Sequence, residues 1–340
     1  MPGAQPVKAP AFWSDPSSPV GTLLAPLGWL AGAYALARMR RPAPQGPLPV
    51  ICIGNPTVGG AGKSPATQAI AARLAASGER PAILTRGYGG SLQGPVVVDP
   101  ARHGPEDVGD EALTHAALFP TIVARDRLAG ARHAAEQGAT IIVMDDGFQN
   151  PSLAKNLSLL VVDGAVGLGN AHILPAGPLR APFLPQLGLA EGLIVVGPGA
   201  AGEAVAVQAR QAGKPVVTAR LVPDPSVIAA FAGRDVLAFC GIGRPAKFIE
   251  TLGEAGIRNA ILRPFPDHHA YGEEDAARLL DEAARTGLPL VTTAKDAVKL
   301  RGGPKREALA RAATTIPVVM DFGDPGLIDR FLSAVRPRRA

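Results

Sequence analysis

Short runs of consecutive apolar residues, each followed by a polar or glycine-rich turn and then by helical spacing, recur along the chain. Residues 50–53, 81–85, 140–144, 157–162 and 192–196 are such runs. They show no polar alternation, the mark of strands buried on both faces. A second series at residues 235–240, 259–262, 288–293 and 315–320 also alternates with helical patterns, and residues 214–222 read as an extended connector between the two series. Strands alternating with helices throughout predict an α/β fold, with parallel sheets flanked by helices. At 340 residues the chain exceeds one typical core. Two domains are therefore expected, a larger N-terminal one over residues 46–225 and a smaller α/β one over residues 226–340.

The first 45 residues break this pattern. Residues 1–15 are polar and proline-rich and predict a mobile leader. Residues 16–37 carry no charge, and Leu23, Leu24, Leu27, Trp29, Leu30, Tyr34 and Leu36 make them apolar before Arg38, Arg40 and Arg41 follow. The length suits a membrane span of about 20 residues, but Pro19, Gly21, Pro26, Gly28 and Gly32 weaken it. Ala35-Leu36-Ala37 would serve as a secretory cleavage site, yet the basic residues follow the apolar run where a signal has them in front. A helix buried against the core is a further reading. The preferred one is an interfacial segment, with its apolar residues dipped into a bilayer and the three arginines on the anionic surface.

Chemistry enters directly after the first strand. Residues 49–68 read PVICIGNPTVGGAGKSPATQ: a buried strand, a glycine-rich turn, then a helix with Pro65 in its first turn. Glycines let the backbone approach an anion, Lys63 adds a point charge, Ser64 offers a hydroxyl to magnesium, and the helix N-terminus faces the phosphates. The strict phosphate-loop spacing wants glycine where Thr57 stands. Asn55, Thr57, Gly59, Gly60, Gly62, Lys63 and Ser64 are the candidate nucleotide-binding positions.

Asp145 and Asp146 close the strand at residues 140–144, at the edge where open α/β sheets bind ligands, and are placed with Ser64 to hold magnesium on a nucleotide. Gly109-Asp110-Glu111 opens a helix; the two acids suit a helix start and suit chemistry equally well. Residues 265–269, FPDHH, fall in a loop after a strand, and residues 292–296, TTAKD, end another. A rigid Pro/Gly-rich stretch over residues 167–180 is surface structure or a binding loop.

Lys and Arg number 34 against 29 Asp and Glu, with no basic run before residues 336–339 and few aromatics, so nucleic-acid binding is not indicated. Cys52 and Cys240 lie far apart in apolar runs, which gives a disulfide framework or zinc site no support and points to a reducing, cytosolic setting.

Taken together, GNPTVGGAGKSP, LTRGYGG, VGDEAL, MDDGFQN, GLGNAHILPAGPLR, FCGIGRP, FPDHHAY and TTAKDAVKL resemble the bacterial tetraacyldisaccharide 4′-kinases of lipid A biosynthesis, in the family's order from about residue 20 to residue 322. The resemblance implies a two-domain P-loop kinase with its active site between the domains and a membrane-associating N-terminal segment. It implies transfer of the ATP γ-phosphate, with Mg2+, to the 4′-hydroxyl of a tetraacylated disaccharide 1-phosphate, giving lipid IVA at the cytoplasmic face of the inner membrane. Carried over by position, Lys63 is the loop lysine, Ser64 stands where the family commonly has threonine, and Asp145 and Asp146 are the paired acids. The resemblance further implies that Asp110 activates the sugar hydroxyl with His268 as its partner; the two stand 158 positions apart, so they meet only if the second domain closes over the first. TTAKD replaces the family's frequent TEKD, which leaves no acid at Ala294. The alternative is a P-loop ATPase or GTPase acting through protein partners, although no protein partner is inferred.

Overall fold

The computed structural model describes residues 10–335. Strands β1 (Val50–Gly54), β2 (Pro81–Thr85), β3 (Val96–Val97), β4 (Thr121–Val123), β5 (Ile141–Asp145), β6 (Leu157–Asp163), β7 (Gly192–Val196) and β8 (Val216–Pro223) belong to one sheet. Strands β9 (Asp235–Cys240), β10 (Asn259–Pro264), β11 (Leu290–Thr293) and β12 (Ala313–Ile316) form a second. The chain then returns to the first with β13 (Val318–Phe322). The large sheet runs β13-β8-β7-β6-β1-β5-β2-β4-β3 and the small one β10-β9-β11-β12. Every pairing is parallel except at the two edges of the large sheet, β13 with β8 and β3 with β4. The α/β architecture expected from the alternation is the one observed.

Parallel strands need crossover helices, and these cover both faces of the large sheet. Cys52, Met144, Leu160 and Val162 point into one core, and Ile51, Ile53, Val143, Leu159 and Val161 into the other. This two-sided burial is why the central strands read as unbroken apolar runs. The small sheet is likewise sandwiched, with Val236, Ala238 and Cys240 on one side and Leu237 and Phe239 on the other.

Three expectations are corrected. Residues 214–222 are not a connector: β8 is a sheet strand in which Val217 and Ala219 are buried and Thr218 and Arg220 exposed, so one face of it stays open to solvent. The run at residues 315–320 is not one strand, because Pro317 divides it into β12 and β13 in different sheets. The division at residue 226 fails at its far end, since β13 and helix Pro325–Val335 pack on the large domain through Met320, Phe322, Ile328 and Leu332. The chain crosses to the small domain and comes back.

Helix α1 (Pro19–Met39) forms despite its glycines and prolines. Ser18 caps it by accepting the Gly21 N–H, and Pro19 sits in the first turn, where its missing N–H costs nothing. Its contact face is glycine: Gly21, Gly28 and Gly32 are its buried residues, and a Cβ at Gly28 would stand 2.6 Å from the Ile173 carbonyl oxygen. The large apolar side chains point outward, with Leu23 at 79%, Trp29 at 70% and Leu30 at 71% exposure, so the buried-helix reading is excluded. Of the leader expected to be mobile, residues 1–9 lie outside the described residues, while Trp13 is docked. Its Nε1 donates to Pro175 O at 3.1 Å, and its carbonyl accepts from Asn170 N at 2.7 Å.

Candidate active site

β1 lies between β5 and β6 with Ile53 level with Asp145 on one side and Leu159 on the other. The glycine-rich loop and the strand-end acids therefore leave the sheet together at its carboxyl edge. Gly62, at φ +98°, is the N-cap of helix α2 (Lys63–Ala76), a left-handed conformation that glycine adopts without steric cost. Nothing lies within 4 Å of a Cβ placed on Gly59 or Gly60, so the loop backbone is open. Asn55 is fully buried and donates Nδ2 to Gly59 O at 3.3 Å, while its Oδ1 has no partner. Thr57 bridges to Leu179, Val58 N donates to Pro178 O and Arg180 N to Pro56 O. The Pro/Gly-rich stretch is thus the wall of the phosphate loop.

The adjacent acids diverge. Asp145 is buried, with His115 Nε2 at 2.9 Å and the hydroxyls of Ser64 and Thr67 donating at 3.4 and 3.3 Å. Asp146 takes the left-handed region at φ +50°, which swings its side chain elsewhere. Arg180 grips both its oxygens at 2.8 and 3.0 Å, and Lys63 Nζ stands 3.9 Å away. Burial pushes the Asp146 carboxyl up, but Lys63 and Arg180 outweigh it and hold the group below the usual carboxylate range. Of the three residues expected to hold a metal, Ser64 and Asp145 face each other and Asp146 is committed to cations. Among the described residues no three His, Cys, Asp or Glu side chains cluster as a metal site.

The second half of the site forms where the domains meet. Helix α3 (Asp110–Ala116) starts with buried Asp110, and His268, from the loop after β10, places Nδ1 3.0 Å from both Asp110 oxygens. The closure that this pair requires is present. His268 is held at φ +58°, a conformation non-glycine residues seldom adopt. Burial raises the Asp110 carboxyl, but the His268 hydrogen bond and Lys295 pull it below its ordinary value. Burial lowers His268, yet the Asp110 hydrogen bond prevails and raises it. Tyr88, largely exposed, tilts over the imidazole at 5.5 Å.

Lys295 Nζ lies 3.2 Å from Asp267, 3.6 Å from Glu111 and 3.3 Å from His268 Nε2. Burial pushes the Glu111 carboxyl up, with Lys295 opposing, and Asp145 and Lys63 also act on it, so the region of Asp110 and His268 adjoins the glycine-rich loop. Further along the boundary, Lys247 Nζ lies 2.8 Å from Asp163 at the end of β6, and Gly243 faces the loop, 3.3 Å from its ideal Cβ position to Gly60 N. A cavity of about 530 Å3 opens at the carboxyl end of β7 beside the middle of β8, lined by Gly197, Pro198, Thr218 and Arg220.

By residue type the sequence marks Lys63, Ser64, Asp145 and Asp146 but not Arg180, His115, Thr67, Lys295 or Lys299. Thr67 stands one helical turn after Ser64, and Lys295 and Lys299 stand one turn apart, so facing positions were the available signal. Arg180 carried none beyond its place at the end of a rigid loop.

A family model described as tetraacyldisaccharide-1-P 4′-kinase matches residues 20–336. A tetraacyldisaccharide 4′-kinase of Azorhizobium caulinodans is 53% identical, with 98% of each chain covered. One of Methylobacterium nodulans is 51% identical, with 97% of each covered. Among solved structures, LpxK from Aquifex aeolicus in complex with ATP superposes with a TM-score of 0.70 at 23% identity, over 94% of this chain and 100% of that one. That likeness shows the shared fold.

Proposed function

The chain belongs to the tetraacyldisaccharide-1-P 4′-kinase family, and from that premise we propose how its cleft transfers the γ-phosphate of ATP to the 4′-hydroxyl of a tetraacylated disaccharide 1-phosphate. The observation that carries the reading is the buried Asp110 carboxylate, held by His268 across the domain boundary beside an open phosphate loop. A P-loop ATPase or GTPase working through protein partners shares the loop but has no need of this pair, and family membership does not favour it.

The open backbone at Gly59 and Gly60, the α2 N-terminus and Lys63 hold the phosphates, and the nucleoside extends toward the cavity at β7 and β8. Ser64 Oγ and the Asp145 carboxylate supply the hard oxygen donors that Mg2+ prefers; the ion, when bound, neutralises charge on the transferred group. Asp146 orients Arg180 and Lys63 toward the same phosphates. The bond from the γ-phosphorus to the β,γ-bridging oxygen breaks while one to the 4′-oxygen forms, and the hydroxyl proton passes to Asp110. An aspartate is a weak base for an alcohol, but transfer through a loose transition state asks for the proton late. His268 orients the carboxylate for it.

Helix α1 supplies the lipid side. Leu23, Leu27, Trp29, Leu30 and Tyr34 face outward, and each such side chain moved out of water contributes about 1.5–3 kcal/mol. With Arg38, Arg40 and Arg41 at its end, α1 lies in the surface of an anionic bilayer, the cytoplasmic face of the inner membrane. The test is transfer of labelled γ-phosphate to the detergent-dispersed disaccharide 1-phosphate by the whole chain and by Asp110→Asn. Product labelled at the 4′ position by the former and not by the latter is expected; full turnover by Asp110→Asn removes the acceptor assignment.

A further inference from the structure

One buried cation is shared by carboxylates from the two domains. Lys299, 6% exposed, has Nζ 2.8 Å from Asp296 Oδ1 in its own domain and 3.9 Å from Asp110 Oδ2 in the other. Asp296 is the fixed end. It is wholly buried and accepts the Gly241 N–H at 2.9 Å, the Tyr271 hydroxyl at 3.0 Å and the Thr293 hydroxyl at 2.6 Å. The Tyr271 ring flanks the ammonium at 5.3 Å. Lys299 Nζ itself makes no directed hydrogen bond, so what reaches Asp110 is charge.

Taking an ammonium this far out of water costs several kcal/mol unless it is paired. Asp296 supplies that pairing with its geometry already fixed by three donors, and this leaves the ammonium field turned on Asp110. The other ionisable groups around Asp110 are Glu111 on its own helix, His268 and Asp267 after β10, and Lys295 after β11. Lys295 is engaged by Glu111 and Asp267. Asp110 and His268 share hydrogen bonds and therefore titrate as a pair.

We propose that Lys299 is a positioning residue for the transfer: anchored by Asp296, it sets a fixed positive charge against the Asp110–His268 pair and keeps that pair free of the proton it must accept. This rests on the reading of Asp110 as the acceptor of the hydroxyl proton. The sign follows from Coulomb attraction. A neighbouring cation disfavours an added proton, so removing it raises the pH at which the pair protonates, and the acid limb of the rate profile moves up.

The test is the pH profile of kcat and kcat/KM for transfer from ATP to the disaccharide 1-phosphate. Lys299→Met is expected to shift the acid limb upward by about half a unit to one unit. That is a 3- to 10-fold loss below the limb, recovered at higher pH, with KM for ATP within about 2-fold. Lys299→Arg should keep the limb in place. If Lys299→Met does not fold, the double variant Asp296→Asn with Lys299→Met keeps the interior neutral; its limb should still rise, though less, because Asp296 stands behind Lys299. A loss of rate that is uniform with pH in a folded variant, with the limb unmoved, overturns the proposal. Asp110→Asn run in parallel separates the two failures: if that variant keeps full turnover, the acceptor reading falls; if it is inactive while the Lys299→Met limb stays put, only the role of Lys299 falls.

Discussion

Asp145 and Asp146 are neighbours in sequence and end in different surroundings, whereas Asp110 and His268 stand 158 positions apart and end 3.0 Å from each other. The first pair sits in the nucleotide half of the cleft, built from β1, β5 and α2, whose residues arrive by local geometry. The second pair sits in the half proposed to receive the acceptor, where a helix start of one domain meets a loop of the other. Chain proximity guaranteed the first two acids a common address and nothing more: one left-handed residue sent Asp146 to Arg180 and left Asp145 to Ser64 and His115. In the acceptor half the distance is closed by the fold, so its chemistry depends on how the domains are held together.

The largest effects are expected at the distant pair. Asp110→Ala and His268→Ala should each lower kcat by about 10²–10⁴-fold with little change in ATP affinity, and the double variant should lose hardly more than either. Two independent, additive losses in the double-mutant cycle would mean that Asp110 only starts its helix.

In the nucleotide half, Lys63→Ala should cost about 10²–10³-fold in turnover with only a small drop in the unfolding midpoint, because the ion pair lost is a loose one, 3.9 Å from Asp146, whose carboxylate Arg180 still holds at 2.8 and 3.0 Å. Near-normal turnover would remove the phosphate-loop assignment. The adjacent acids should then separate under magnesium titration. Asp145→Asn is expected to raise the magnesium requirement by roughly 10–100-fold, since it stands beside the Ser64 hydroxyl. Asp146→Asn should leave that requirement in place and weaken ATP binding through a loosened Arg180. Identical magnesium curves would show that the divergence of the two acids has no bearing on the metal.

The smallest effect on turnover belongs to α1, outside both halves. Replacing Leu23, Leu27 and Leu30 by Ser should cut binding to anionic vesicles by at least 10-fold and raise KM for the lipid, with KM for ATP unchanged. Gly28→Leu should instead lower the unfolding temperature, because the added side chain meets the Ile173 carbonyl. Vesicle binding that survives the triple Ser variant would move the membrane contact elsewhere on the chain.

What the sequence determined by itself is what short-range physics controls. Apolar runs of four to six residues, each bounded by a turn and followed by helical spacing, are too short for helices and read as strands covered on both faces, and a glycine-rich turn between such a strand and a helix leaves the sheet at its carboxyl edge. The fold class and the phosphate loop were therefore legible from residues 49–68 and their repeats down the chain. Tertiary structure decided the rest, for reasons that no window of sequence contains. Pro317 cuts one apolar run into strands of two sheets, and β13 returns to the large one because an antiparallel place was open beside β8. Helix α1 is apolar on every side, so its pattern names no buried face; the close approach of Ile173 selects the glycines and leaves the leucines outside. Arg180, Lys295 and Lys299 look like ordinary basic residues along the chain. Each acquires its role from a carboxylate distant in sequence, because charge acts through space and only the folded chain sets those distances.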